Sequence, residues 1–389
     1  MIWLAIIGLT LISIGALIYL LYFFSVLRND KSIANFKEIL CSCQNLNSFS
    51  DPVTITVSAF NEAKVIGRKL DNIADLDYPL EKLEVLVVDD ASTDGTGEIA
   101  KEKIQELNIS GRVIKNSNRL GLNRSLNLAM KEATHNFVCI TDSDVLLEKN
   151  ALKNAINVLK KFKGAGGVTG KLQPLFKGRG VAQTNSTAYR DFYDKSMLGE
   201  SALHSSFPGN GTLFVFDKSK VPYIIPENYG ATDANVAMNI IKSGLRFIYV
   251  PTSIILEYVP ENIREQRLQK VRRAKRLIQV FLHNRDIFLN KKYGIFGRRI
   301  FPLKFLMMTL CPFLFFSGPI LFILSVFLSQ NLALYIFSSI SILLIATTLL
   351  IFKHIRVTLL SFVFHQFYLL IGLISSMRKS VYWTIVERK

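Results

Sequence analysis

Asp142 and Asp144 stand two positions apart at the end of an apolar run, Asn136 to Ile140, in the segment Ile140-Thr141-Asp142-Ser143-Asp144-Val145. The run reads as a strand. Alternate strand side chains share a face, so the two carboxylates can point the same way. Such a pair can hold a hard divalent cation, and the cation can hold a diphosphate. Turn formation is the ordinary reading of an Asp-x-Asp at a strand end, because Asp is a favoured turn residue. The metal reading therefore rests on what surrounds the pair.

The preceding chain is built to deliver such an end. Val53–Ala59 is β-branched and apolar and reads as a strand, followed by helical spacing over Glu62–Ile73. Leu83–Asp89 is a second buried strand, Thr93–Leu107 a helix, Arg112–Lys115 a short strand, Gly121–Ala133 a helix, and Asn136–Thr141 the strand before Asp142. Strand and helix alternate at short spacing, which predicts right-handed crossovers and a parallel sheet covered on both faces. Open α/β sheets bind ligands at the carboxyl ends of their strands. Three such ends carry polar clusters: Ser58-Ala59-Phe60-Asn61-Glu62, Asp89-Asp90-Ala91-Ser92-Thr93-Asp94-Gly95, and Thr141 to Asp144.

Apolar residues make up 50% of the 389, and they are unevenly spread. Ile2–Phe24 has no charge and is long enough to cross a bilayer. A secretory signal is the weaker reading, since a basic start and a small-x-small cleavage site are lacking. A second apolar zone divides into Leu303–Leu328, Leu332–Phe352 and Val357–Ser376. Basic clusters flank these runs at Arg28/Lys31, Arg298/Arg299/Lys304, Lys353/Arg356 and Arg378/Lys379. The positive-inside rule puts all four in the cytoplasm, with the soluble domain inside and Met1 outside. Three full C-terminal crossings would put Arg378 and Lys379 outside. His365-Gln366 also lies mid-run, so Val357–Ser376 is expected to be interfacial or re-entrant, or else the rule fails once. The tail from 377 is expected in the cytoplasm.

Cys41, Cys43, Cys139 and Cys311 have no zinc spacing and read as free thiols in a reducing compartment. The net charge is +17, and Glu261–Ile300 holds twelve Lys and Arg against Glu261, Glu265 and Asp286. Nucleic acid suits such a patch in general. Its place directly before an apolar run favours a membrane surface instead, and no nucleic-acid partner is expected. The organisation read from this pattern is an N-terminal transmembrane helix (1–27), an α/β domain (50–260), basic amphipathic interface helices (261–301), a transmembrane region of two or three crossings (302–376) and a cytoplasmic tail (377–389).

The order of these motifs resembles a family-two glycosyltransferase with the GT-A (Rossmann-like) fold, over about 53–290. The residues that carry the likeness are Ser58-Ala59-Phe60-Asn61-Glu62, Val88-Asp89-Asp90-Ala91-Ser92-Thr93-Asp94-Gly95-Thr96, the helix opening Gly121-Leu122-Asn123-Arg124-Ser125-Leu126-Asn127, and Asp142-Ser143-Asp144. Ser58 stands where the family usually has Pro. The likeness extends to membrane polysaccharide synthases of the cellulose, chitin, hyaluronan and poly-N-acetylglucosamine type. It implies that Ala59, Asn61, Glu62, Asp89 and Asp90 hold the nucleoside of a nucleotide diphosphate sugar. Helix capping by the same loop is compatible with this. It implies that Asp142 and Asp144 hold Mg2+ or Mn2+ against the diphosphate. Phe207-Pro208-Gly209-Asn210-Gly211-Thr212 resembles the turn on the acceptor side, with Gly209, Asn210 and Gly211 at the acceptor.

Asp233, in Tyr229-Gly230-Ala231-Thr232-Asp233-Ala234-Asn235, falls where the family places a general base, and the attack it assists inverts the anomeric centre. By itself it reads as a first-turn acid of a helix. Gln269-x-x-Arg272-Arg273 resembles a Gln-x-x-Arg-Trp motif whose Arg binds the diphosphate and whose Trp stacks on the acceptor sugar. Here Arg273 replaces the Trp. By itself the segment is an amphipathic helix for anionic lipid. Tyr382–Lys389 faintly resembles the tails of such enzymes. The implied protein is an inverting membrane glycosyltransferase whose acceptor is a glycan or a lipid-linked group, polyprenyl phosphate or glycolipid. A non-catalytic nucleotide-sugar-binding scaffold is the rival of another class.

Overall fold

The computed structural model describes residues 2–44, 51–175, 181–222, 224–258, 263–329 and 332–376, so the 382–389 motif lies outside the described residues. Helices α1 (Ile2–Tyr22) and α2 (Asp30–Gln44) precede the α/β domain. That domain runs β1 (Val53–Ala59), α3 (Ala63–Ala74), β2 (Leu83–Asp89), α4 (Thr96–Glu106), β3 (Ser110–Lys115), α5 (Leu122–Glu132), β4 (Phe137–Asp142), β5 (Val145–Leu147) and α6 (Ala151–Lys161). It continues with β6 (Ala165–Leu175), α7 (Val181–Leu203), β7 (Leu213–Asp217), α8 (Thr232–Lys242) and β8 (Arg246–Tyr258). Then come α9 (Ile263–His283), α10 (Phe301–Thr309), α11 (Cys311–Leu328), α12 (Leu332–Ile351) and α13 (Lys353–Ser376).

The eight strands form one sheet in the order β3-β2-β1-β4-β7-β6-β8-β5. All seven residues of β2 are buried, as expected for a strand covered on both faces. One apolar core lies under α2, α3, α4 and α6, with Phe36, Leu70, Ile104 and Leu152. The other lies under α5, α8, α9 and α10, with Met130, Ile240, Phe281 and Phe301. Parallel pairing sets Ala59 opposite Asp89 and Ser58 opposite Asp142, so the three polar strand ends share one rim.

Two expectations change. The sheet is mixed, because β7 runs antiparallel to both β4 and β6. Strand direction follows the path of the connection, which local composition does not encode. The reversal has a consequence for the rim: β7 begins there, with Leu213 opposite Thr141, so the Phe207–Thr212 loop is delivered beside Asp142. The strand alternation offered for Asp142 and Asp144 also fails. Asp142 ends β4, whereas Ser143 and Asp144 form a turn into β5, which pairs with β8 at the far edge of the sheet.

Three helical segments among the described residues are long and apolar enough to cross a membrane: Ile2–Leu27, Cys311–Leu328 and Ile355–Ser376. The run read as Leu303–Leu328 is divided, and α10 before the break packs into the second core. Helix α1 packs along α11. A Cβ on Gly8 would lie 2.6 Å from the carbonyl oxygen of Gly318, so only glycine permits this approach. Helix α13 is continuous rather than re-entrant. Its Gln366 donates to the Tyr19 hydroxyl at 2.6 Å, which pairs the amide nitrogen inside an apolar run and leaves the buried Oε1 without a hydrogen-bond partner among the described residues. The end of α13 reaches α9, where Gln279 donates to the Ser376 carbonyl and Gly372 abuts Ala274. Thus α13 ends beside the α/β domain, α11 begins beside it, and α12 joins their distal ends.

Candidate active site

The first two rim loops are sewn together. Asn61 adopts a left-handed backbone (φ 55°); its N–H donates to Ser92 Oγ at 2.9 Å, and its Oδ1 accepts from Thr93 N–H at 3.0 Å. Glu62 N–H donates to Thr96 Oγ1, and Asp94 accepts from Ala63 N–H. Asp89 is fully buried, and one of its oxygens accepts from Ser92 N–H. A Cβ on Gly97 would come within 2.5 Å of the other. Asp89 thus builds the loop from inside, with its second oxygen buried and without a hydrogen-bond partner among the described residues.

Asp90 is buried as well, accepting from Asn116 Nδ2, Leu120 N–H and Gly121 N–H, each at 2.8 Å. It anchors the turn that starts α5. In the same turn the Arg119 guanidinium stacks over Phe60, 3.9 Å from the ring centroid.

The Asp142–Asp144 turn is held from behind by Lys69, which the sequence reading overlooked. Lys69 is fully buried on α3, and its ammonium donates to Thr141 Oγ1 at 2.9 Å and to the Val145 carbonyl at 3.0 Å, one on each side of the aspartates. Burial brings its pKa down to about 8, against the opposing pull of Cys139 and Asp142. The available signal was a lysine on the apolar stripe of Ile66, Leu70 and Ile73.

Asp233 sits in the first turn of α8. Burial pushes its carboxyl up to about 6 and Asp142 adds repulsion, while the Ala234 N–H and the Arg273 charge oppose the rise. The arginines of α9 face the same place. Burial, followed by Arg276 and Arg273, lowers Arg272 to about 10, and Asp142 counteracts this. Arg276 is lowered by burial and stabilised by Asp233. Asp142, Asp233, Arg272, Arg273 and Arg276 therefore act on one another. Gln269 is half-buried on the same helix, one turn before Arg273.

Arg273 also donates to Glu257 at 3.1 Å, and Arg190 of α7 meets the same carboxylate at 3.3 Å. Glu257 pairs with Val145 across the β5–β8 ladder, beside the aspartate turn. Neither Glu257 nor Arg190 carried a signal in the sequence, because their pairing spans 67 residues.

The acceptor-loop residues divide by role. Gly211 faces Asp233; a Cβ there would lie 3.5 Å from its carboxyl carbon, in ordinary contact. Asn210 is buried and turned inward, its N–H on Thr169 Oγ1 and its Nδ2 on the Gly170 carbonyl at 2.6 Å. Gly209 is packed against Phe247. Asn210 and Gly209 thus brace the loop from inside.

The donor set fits a cation shared with a diphosphate. No group of three or more His, Cys, Asp or Glu among the described residues is placed to hold a metal alone. Two carboxylates with substrate oxygens and water completing the shell is a usual Mg2+ arrangement. All four cysteines are free thiols, as expected.

Residues 54–219 match the family Glycosyl transferase family 2, and residues 137–375, more than half of the chain, match Glycosyl transferase family group 2. The mannosyltransferase PcManGT from Pyrobaculum calidifontis, solved with GDP-Man and Mn2+, is 25% identical; the match covers 96% of this chain and 99% of that one, with a TM-score of 0.76. Poly-beta-1,6-N-acetyl-D-glucosamine synthase of Staphylococcus aureus is 27% identical over 260 residues, 66% of this chain and 60% of that protein. The probable glycosyltransferase YdaM of Bacillus subtilis is 26% identical over 295 residues, 72% of this chain and 68% of that protein. The chain thus spans about 60% of the length of the synthase it matches. The matched family, the mixed sheet and the membrane-directed helices agree: the chain is a glycosyltransferase with a GT-A fold, and it belongs to glycosyl transferase family group 2.

Proposed function

We propose that the protein is an inverting, metal-dependent glycosyltransferase that takes a sugar from a nucleotide diphosphate sugar at the cytoplasmic face of a membrane. The observation that carries this reading is the mutual influence of Asp142, Asp233 and the α9 arginines beside Gly211, with Asp233 raised to about 6. A carboxylate tuned toward neutrality is suited to general-base work. Asp233 takes the proton of the acceptor hydroxyl as its oxygen attacks the anomeric carbon. The bond from that carbon to the diphosphate breaks on the opposite face, and the configuration inverts.

Arg272 and Arg276 bind the departing nucleoside diphosphate. Asp142 and Asp144 would hold Mg2+ or Mn2+, whose chemistry there is to neutralise charge on the leaving diphosphate. Ala59, Asn61 and Glu62 flank the nucleoside, and Asp90 shapes its pocket through the Leu120–Gly121 turn. Both PcManGT, with GDP-Man and Mn2+, and the rim geometry support a metal-bound donor.

The described helices support three crossings, α1, α11 and α13, with Arg28, Arg298, Arg299 and the α13 end at Ser376 on the domain side. Lys353 and Arg356 are then the single exception to the basic rule. The acceptor is a glycan or a lipid-linked group. The stacking of Lys270 over Tyr368 and of Arg267 over Phe367 favours the lipid-linked class, because it sets the cationic face of α9 against a membrane helix.

The test is nucleotide release by the full chain with Mn2+, from GDP-mannose and UDP-N-acetylglucosamine, with and without membrane lipid extract. Extract-dependent release is expected. Donor binding without release under every condition would favour the non-catalytic scaffold.

A further inference from the structure

Outside the reacting groups, one buried ionic cluster lies where the membrane helices meet the catalytic domain. Glu200 on α7 is fully buried, and Lys304 on α10 is 5% exposed. They pair at 2.5 Å. Tyr22, the last residue of α1, donates its hydroxyl to the same Glu200 oxygen at 2.5 Å. The other carboxylate oxygen accepts from Phe207 N–H at 2.9 Å, while Lys304 donates to the Phe207 carbonyl. Both polar groups of the Phe207 backbone are therefore held by one ion pair.

The Phe207 ring is locked too. It packs edge-on to Phe281 of α9 at 5.1 Å between centroids, near Phe296 and Phe301. Four residues later Gly211 lies against Asp233. Phe281 belongs to the helix that carries Arg272 and Arg276.

A buried ion pair is a poor source of net stability, since desolvating both ions offsets their attraction. An apolar pair would fill this junction at less cost. What the charges supply is direction: a carboxylate for one N–H, an ammonium for one carbonyl. We infer that Glu200, Lys304 and Tyr22 are positioning residues that let the membrane helices set the acceptor loop against Asp233, so that membrane anchorage is part of the acceptor site. This rests on the proposed transfer reaction. Its mechanistic corollary is selective. When the loop is slack, a water can still attack the anomeric carbon, breaking the bond to diphosphate and passing its proton to Asp233, whereas a bulky acceptor hydroxyl is no longer aligned.

The experiment uses the full chain in detergent micelles. Glu200→Gln and Tyr22→Phe each remove one directional contact, and the double variant E200Q/K304M keeps the junction neutral should single changes weaken folding. Hydrogen exchange is followed at the Gly209–Leu213 amides, with β1 and β2 as internal reference. Nucleotide release from GDP-mannose and from UDP-N-acetylglucosamine is followed with and without membrane lipid extract.

The expected result is exchange at least tenfold faster in the loop with β1 and β2 unchanged. The extract-dependent part of release should fall about tenfold while extract-independent release persists. Unchanged loop exchange, or equal loosening of loop and strands, would overturn the proposal. If the wild type releases nucleotide from neither donor, the glycosyl-transfer reading fails for those donors. The exchange measurement still decides whether this junction positions the loop.

Discussion

Replacing Asp233 with Asn should make the protein more stable and nearly inactive, and the stability gain should depend on pH. The carboxyl stands at about 6 in the fold against an ordinary 3.8, chiefly through burial. The folded protein therefore holds this proton more tightly than the unfolded chain. Between those two values the native state binds more protons, so stability falls as pH rises, and above about 6 the penalty is constant. A shift of about two units corresponds to about 3 kcal/mol at pH 8, and to roughly half of that at pH 5. Asparagine resembles the protonated acid in shape and removes the charge. Asp233→Asn should then gain up to about 3 kcal/mol at pH 8, read as a rise of a few degrees in thermal unfolding, and about half as much at pH 5. Loss of the base should lower turnover about 10²- to 10⁴-fold, and wild-type turnover should rise with pH through an apparent pKa near 6. Thermal unfolding followed by circular dichroism at the two pH values, beside a pH–rate profile, makes the comparison. An equal stability change at pH 5 and pH 8, or wild-type nucleotide release by the variant, would refute the reasoning.

Three other outcomes follow from the same site. Lys69→Met removes a buried ammonium whose pKa is depressed to about 8, so its charge costs stability below that pH and progressively less as pH rises toward 10.5. That gain offsets the roughly 1–3 kcal/mol for stranding the Val145 carbonyl, leaving unfolding nearly unchanged. Half-saturation by Mn2+, read by titration calorimetry with nucleoside diphosphate present, should weaken about 10- to 100-fold. Chelation, or Asp144→Asn at fixed Mn2+, should reduce nucleotide release by about 100-fold or more without changing the circular dichroism; release that survives both would remove the metal from the mechanism. Arg272→Met should weaken nucleoside diphosphate binding by about 1.5–3 kcal/mol, roughly 10- to 150-fold, with Arg272→Lys in between, as equilibrium binding will report.

Much of the fold was open to reading because it rests on local pattern. The β-branched run of β1 and the apolar run of β2 have the limits expected from sequence, Val53–Ala59 and Leu83–Asp89. Their polar ends share a rim because parallel neighbours must end together. The direction of β7 was beyond reach, since Leu213–Asp217 is equally apolar read either way. In the apolar zone, sequence treats Lys304 as a flanking charge and Gln366 as a defect. Their partners, Glu200 and Tyr19, lie 104 and 347 residues away, and only packing reveals these contacts.

The same distinction separates the two kinds of site residue. Asp142, Asp144 and Asp233 could be proposed from sequence because they sit at element ends, where spacing is informative. Glu257, Arg190, Lys69 and Glu200 were not, because their work is to hold something else in place. Arg273 shows what this implies. Against its motif it looks like a lost aromatic platform. In the fold it is held by Glu257, which Arg190 also engages, beside the turn that carries Asp144. A guanidinium so fixed keeps positive charge close to Asp233 and opposes the burial that raises that carboxyl. Tryptophan at this position would leave Glu257 with Arg190 alone among its described partners and remove one of the charges that keep the base near 6. The position therefore bears on the basicity of Asp233 as well as on the shape of the acceptor site, and the motif alone speaks only to shape.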